Sequence, residues 1–163
     1  MGPDMGGRIR TLKPELLEDA RVAMLSSNAF RLYVGCILLS DDYGNLRTDP
    51  AYLGGAIFWH QLGSGAVGYD HVRSAIAELL SVPEGHPSGL LCGYRVRGQD
   101  YGHIAGWSKH QRVDHPGAPR VPGPNAAESR SNDSALLQAL AKGSRMARET
   151  LAPDPDPDQY PDP

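Results

Sequence analysis

The segment WSKHQRVDHPGAPRVP, residues 107–122, places Lys109, His110, Arg112, His115 and Arg120 close together among prolines, and Arg95 and Arg97 stand just before it. Guanidinium and ammonium groups at this density suit a phosphate backbone, whose contacts are electrostatic and independent of base sequence. The same region also holds His103, His110 and His115 with Asp100 and Asp114, residue types that a metal-dependent nuclease would use. His110 and His115 are five apart in a proline-bearing segment, however, and that spacing fixes no common face. Paired cysteine ligands, a His-Glu-x-x-His helix and a glycine-rich phosphate loop are missing, and no Ser, His and Asp are spaced as a triad. The residues read as a binding surface, with no enzyme activity, metal or cofactor.

Net charge alone argues against a uniformly basic binder, because the formal sum is −3. The sum conceals a split: residues 1–120 carry twelve basic and twelve acidic side chains, while residues 121–163 carry four and seven. Basic charge is local, and double-stranded DNA is the partner it fits.

Residues 90–96 and 101–107 read as two strands joined by a turn at Arg97-Gly98-Gln99-Asp100, with β-formers such as Tyr94, Val96, Tyr101 and Ile104 on the flanks. Upstream, Pro14 opens a first helical turn with Glu15 and Glu18 at its acid-favouring end. Arg8, Arg10 and Lys13 are either a solvated edge or an arm reaching DNA. Ser26 or Ser27 caps an apolar helix to about Ser40, and an Asp-Asp-Tyr-Gly-Asn turn ends it. That turn lacks the other ligands of a calcium loop. Leu46-Arg47-Thr48 is a short strand. Thr48 or Asp49 caps a helix from Pro50 with Leu53, Ala56, Ile57 and His60 on its apolar stripe, and Gly54 and Gly55 suit a close helix crossing. Residues 61–68 read as a flexible connection. Val72, Ala75, Ile76, Leu79 and Leu80 then mark the clearest amphipathic helix, with Asp70 as its cap and Pro83 beyond its end.

The order helix, short strand, helix, helix, hairpin gives an α+β fold and matches a winged helix-turn-helix, in which three helices pack on a small antiparallel sheet. In that arrangement the second helix of the pair offers His71, Arg73 and Ser74 to the major groove. Arg95 and Arg97 on the wing, with Lys109, His110 and Arg112 beyond it, meet phosphate. A lone surface arginine such as Arg73 is more often solvated than engaged with a base. Trp107, at a strand end, reads as core.

RIRTLKPELLEDARVAMLSSNAFRLYVGCILLSDDYGNLRTDP, followed by the hairpin and W-x-K-H-Q-R-V-D-x-P, resembles the N-terminal domain of DnaD-like phage replisome-organiser proteins of actinobacterial phages and prophages. The resemblance covers residues 8–122, and its most specific pieces are Arg8-Ile9-Arg10-Thr11-Leu12-Lys13-Pro14 and Lys109-His110-Gln111-Arg112. It implies a winged-helix DNA-binding domain acting in phage DNA replication, with helicase or helicase-loader proteins as partners. A transcriptional regulator and a protein adaptor that no longer binds DNA are the competing functions.

Around this domain, residues 1–7 read as a frayed terminus and residues 123–132 as a linker. Residues 133–151 read as a C-terminal helix suited either to docking back or to homo-oligomer formation, and residues 152–163 as a disordered acidic Pro/Asp tail. Cys36 and Cys92 lack metal spacing and suit buried thiols in a reducing cytoplasm. The longest apolar run is too short to cross a bilayer.

Overall fold

The computed structural model describes residues 9–130. Residues 1–7, Arg8, the end of the expected linker, the expected C-terminal helix and the acidic tail lie outside the described residues. In chain order the elements are α1 (Ala20–Ala23), α2 (Ser27–Leu39), β1 (Asn45–Arg47), α3 (Pro50–Ile57), α4 (Trp59–Ser64) and α5 (Tyr69–Leu80). They continue with β2 (Leu91–Val96), β3 (Gln99–Ile104), α6 (Trp107–His110) and β4 (Ser129–Arg130). The fold class is α+β.

Helix α2 forms because an apolar run follows a serine. The Ser26 hydroxyl accepts the Ala29 N–H at 3.2 Å, satisfying one of the free donors of the first turn. Glu78 of α5 closes the same end, accepting the Ser26 N–H at 2.9 Å and its hydroxyl at 2.7 Å. At the other end two arginines, Arg10 and Arg120, both donate to the Ser40 carbonyl at 2.9 Å. Cations on these carbonyls offset the negative end of the helix. Ala29, Leu32, Cys36 and Ile37 of α2 are buried with Val72, Ile76 and Leu79 of α5, so the two amphipathic helices form the centre of the core. Gly54 of α3 lets Tyr69 of α5 approach, since a Cβ there would stand 2.9 Å from the tyrosine ring.

The sheet is antiparallel, in the order β1-β3-β2-β4. Arg97 and Gly98, both at positive φ (50° and 74°), make a two-residue connection between β2 and β3, so Gln99 and Asp100 belong to the strand and not to the turn. Positive φ at both centres matches the strand twist of a tight hairpin. Gly44, at φ 80°, lets the chain pass under Trp107, whose ring atoms would meet a Cβ there at 2.6 Å. Trp107 is 6% exposed and donates its indole N–H to the Asp42 carbonyl, which places it in the core.

Other expectations for the helices need correction. The turn at Pro14 is a 3-10 turn (Pro14–Leu17) followed by the separate α1, which Asp19 caps through the Arg21 N–H. The helix from Pro50 stops at Ile57 because Phe58 leaves helical geometry to bury its ring, 1% exposed; the expected connection then contains α4. His60 therefore lies on the surface, stacked on Trp59, and not on a core stripe. The first turn of α5 is closed by His71, while Asp70 lies inside the helix.

Candidate nucleic-acid interface

The side chains expected at an interface fall in three places. His71, Arg73 and Ser74 occupy the first turns of α5; Arg95 and Arg97 occupy the hairpin; Lys109 and His110 lie in α6, and Arg112 two residues beyond its end. The β2–β3 ladder runs from Leu91 opposite Ile104 to Val96 opposite Gln99. At ~3.4 Å per residue it is about 17 Å long. Arg97 stands at its tip, whereas α6 follows β3 at the far end. The expected single surface of wing and basic arm is thus two separated places.

Several of these cations are already engaged. Arg73 pairs with Asp70 at 3.0 Å one helical turn away. Arg95 pairs across the strands with Asp100 at 2.7 Å, and that carboxylate, with Glu128 further off, raises the guanidinium pKa. Arg112 meets Asp114 at 3.0 Å with 92% of its side chain in solvent, so this pair contributes little and yields readily to a phosphate. His71 accepts the Gly68 N–H through Nδ1, which leaves Nε2 as the hydrogen-bearing nitrogen facing outward. Glu78, which could repel phosphate from an open helix face, is occupied at the Ser26 cap.

Arg97 and Lys109 have no carboxylate partner among the described residues. Arg97 is exposed at the hairpin tip, and its N–H donates to the Glu128 carboxylate at 3.0 Å. Glu128 in turn donates its own N–H to the Arg95 carbonyl, so this one residue fastens the β2 side of the tip at two points. Nothing in the sequence pointed to Glu128, because a glutamate in a Pro/Ala/Ser-rich stretch carries no sign of strand register.

The proline-stiffened arm does not extend into solvent. Gly117 donates to Asp42 at 2.8 Å and accepts from the Tyr43 hydroxyl at 3.2 Å. Tyr94 donates to the Pro122 carbonyl at 2.6 Å, and β4 pairs with Tyr94 and Arg95 of β2. These anchors also tie residues 123–130, expected as linker, to the sheet. Arg120 serves the α2 terminus and Arg10 lies beneath Trp107, with a side chain only 3% exposed. Arg10 is therefore neither a solvated edge nor a DNA-reaching arm. The carbonyls at the end of a helix accept such cations favourably.

His103 places Nδ1 2.9 Å from the Asn45 side-chain oxygen, and burial lowers its pKa. Asp41 spends one carboxylate oxygen on the N–H groups of Tyr43 and Asn45, and the other on the Arg120 N–H. Among the described residues, no three His, Cys, Asp or Glu side chains converge as metal ligands. Burial raises the pKa of Cys36 to about 12, and raises that of the half-buried Cys92. No described helix is long and apolar enough to cross a membrane. Compared with protein-family models, curated proteins and solved structures, the chain matches none.

Proposed function

We propose that the chain binds double-stranded DNA through a winged helix-turn-helix, with α5 as the recognition helix and the β2–β3 hairpin as the wing. The observation that carries this reading is the hairpin tip. It presents Arg97, whose guanidinium has no carboxylate partner among the described residues, at the end of a ribbon, on a two-residue turn fastened by Glu128. A tip whose backbone is held in place and that carries such a cation suits a phosphate contact, whose attraction is electrostatic and independent of base sequence. The β1–β3 pairing supports the same fold, because a winged helix joins its short first strand to the hairpin. The α3–α4 unit, the turn after Gly65 and α5 supply the helix-turn-helix.

The resemblance of residues 8–122 to phage replisome organisers favours replication over transcription as the setting, with helicase or helicase-loader proteins as partners. The two segments that carry the resemblance touch. Gln111 donates to the Thr11 carbonyl at 2.7 Å and accepts the Thr11 N–H at 3.1 Å, and Lys13 donates to the Lys109 carbonyl at 3.1 Å. That contact gives Thr11, Lys13 and Gln111 a folding role and leaves the Lys109 ammonium free to meet DNA.

Titration of labelled random duplex with the full chain tests the reading. Affinity should fall steeply between ~50 and ~200 mM salt, as phosphate contacts require. Absence of duplex binding at the lower salt would move the adaptor function to first place.

A further inference from the structure

At the break between α3 and α4 a buried ring, Phe58, is followed directly by an exposed one. Turning Phe58 inward leaves Trp59, the next residue, 53% exposed, with its indole stacked on the His60 imidazole at 3.6 Å between ring centroids. The Arg31 guanidinium reaches the same junction. It donates to the Ile57 carbonyl at 3.1 and 3.3 Å and lies 5.6 Å from the Phe58 ring centroid. Arg31 has no carboxylate partner among the described residues. Residues 50–69 contain no Asp or Glu at all. The flanking acids, Asp49 and Asp70, are each paired with an arginine.

We propose that Trp59 and His60 form a stacking platform for an unpaired base of single-stranded nucleic acid, with Arg31 as the adjoining phosphate contact. An exposed indole offers a base a large π face without regard to its identity, and such stacking is sequence-tolerant. His60 behind the indole holds the ring in place. A polyanionic strand passing this junction meets the Arg31 guanidinium, and residues 50–69 add no carboxylate to repel it. The site does not rest on the duplex reading: its residues lie on α2 and α4, apart from Arg97 and Lys109.

The chain's two tryptophans make the test direct, because Trp107 is buried and supplies a constant background. The full chain is titrated with oligothymidylate of ~16 nucleotides, a length that spans a single-strand site, at low salt, and tryptophan emission is followed. Quenching is expected in the parent. Trp59→Leu should abolish the quenching and weaken binding, read by anisotropy of a labelled strand, by about tenfold. Trp59→Phe should retain much of the affinity, since it keeps a ring, and random-duplex affinity should be the same in all three proteins. The site is refuted if oligothymidylate leaves the parent emission unchanged, or if Trp59→Leu binds the labelled strand as the parent does. Equal losses on single strand and duplex would assign Trp59 to the duplex interface instead. Concentration-dependent change of Trp59 emission without nucleic acid would make the platform a contact between copies of the chain, and would also overturn it.

Discussion

The Arg10 guanidinium carbon lies 5.1 Å from the centroid of the Trp107 ring, and its Nη2 donates to the Ser40 carbonyl at 2.9 Å and to the Asp42 carboxylate at 3.2 Å. Sequence neighbours of neither residue point to the other. The arginine fixes the start of the described chain on the end of α2 and on the turn that carries Asp42, while the tryptophan covers it.

Arg10→Ala should therefore destabilise the fold by ~3–5 kcal/mol, the usual cost of removing one partner from a buried ion pair. Arg10→Lys should recover little, because an ammonium lacks the planar face with which the guanidinium covers the indole while its edge donates to the acceptors. Chemical denaturation of the three proteins, fitted with a common slope, checks both. An Arg10→Ala protein as stable as the parent would mean that the residue is a surface cation after all.

At the hairpin tip, conformation and charge can be separated. Arg97 adopts φ 50°, a region that costs an ordinary L-residue roughly 1–2 kcal/mol. Arg97→Asn and Arg97→Gly should both raise the melting temperature, since these residues enter the left-handed region more easily. Both should also weaken duplex binding. A variant that became more stable without losing affinity would leave Arg97 with a purely structural part.

Stability should carry an acid-sensitive component at the Asp19–Arg21 pair. The Arg21 side chain, donating to the carboxylate at 2.7 Å, lowers the Asp19 pKa from 3.8 to about 2, against the opposing effect of burial. A carboxylate lowered on folding stabilises fully above its unfolded pKa, and the contribution is lost as pH falls toward the folded one. The loss should thus run from about pH 4 down to about pH 2, and Asp19→Asn should remove that part of the pH dependence. Because Arg21 also reaches the Ser88 and Gly89 carbonyls, the same substitution should loosen the loop after α5. Denaturation midpoints of both proteins through this pH range supply the check.

Periodicity made the order of the main elements readable. Val72, Ile76 and Leu79 at helical spacing mark α5, and the β-formers around Arg97-Gly98 mark the hairpin. What escaped the pattern depends on contacts distant in sequence. Phe58 continues the local helical spacing of α3, yet burying its ring ends that helix and turns Trp59 and His60 outward. Arg10 and Arg120 look like available cations, but each finds carbonyls at the end of α2 thirty or more residues away. Of the candidate interface, the residue types were legible and their pairing was not. Arg73, Arg95 and Arg112 each found an acid within five residues, and Arg97 and Lys109 did not.

The middle of α5 offers a test of packing. Leu79 is fully buried among the core side chains, and Leu79→Ala should cost ~2–5 kcal/mol. A thermal melt unchanged by that substitution would contradict the position of α5 at the centre of the fold.

The most direct measurement is the salt dependence of random-duplex binding by the parent, Arg97→Asn and Lys109→Gln. Each variant removes one cation that has no carboxylate partner among the described residues, and Arg97→Asn keeps the turn geometry. Each log–log slope should flatten by about 0.9, the value for a single phosphate no longer neutralised. Arg112→Gln should flatten the slope as well, since its solvated pair with Asp114 yields to a phosphate. Parent and variants binding with the same slope, or no duplex binding by the parent, would contradict a hairpin tip and α6 that grip the DNA backbone.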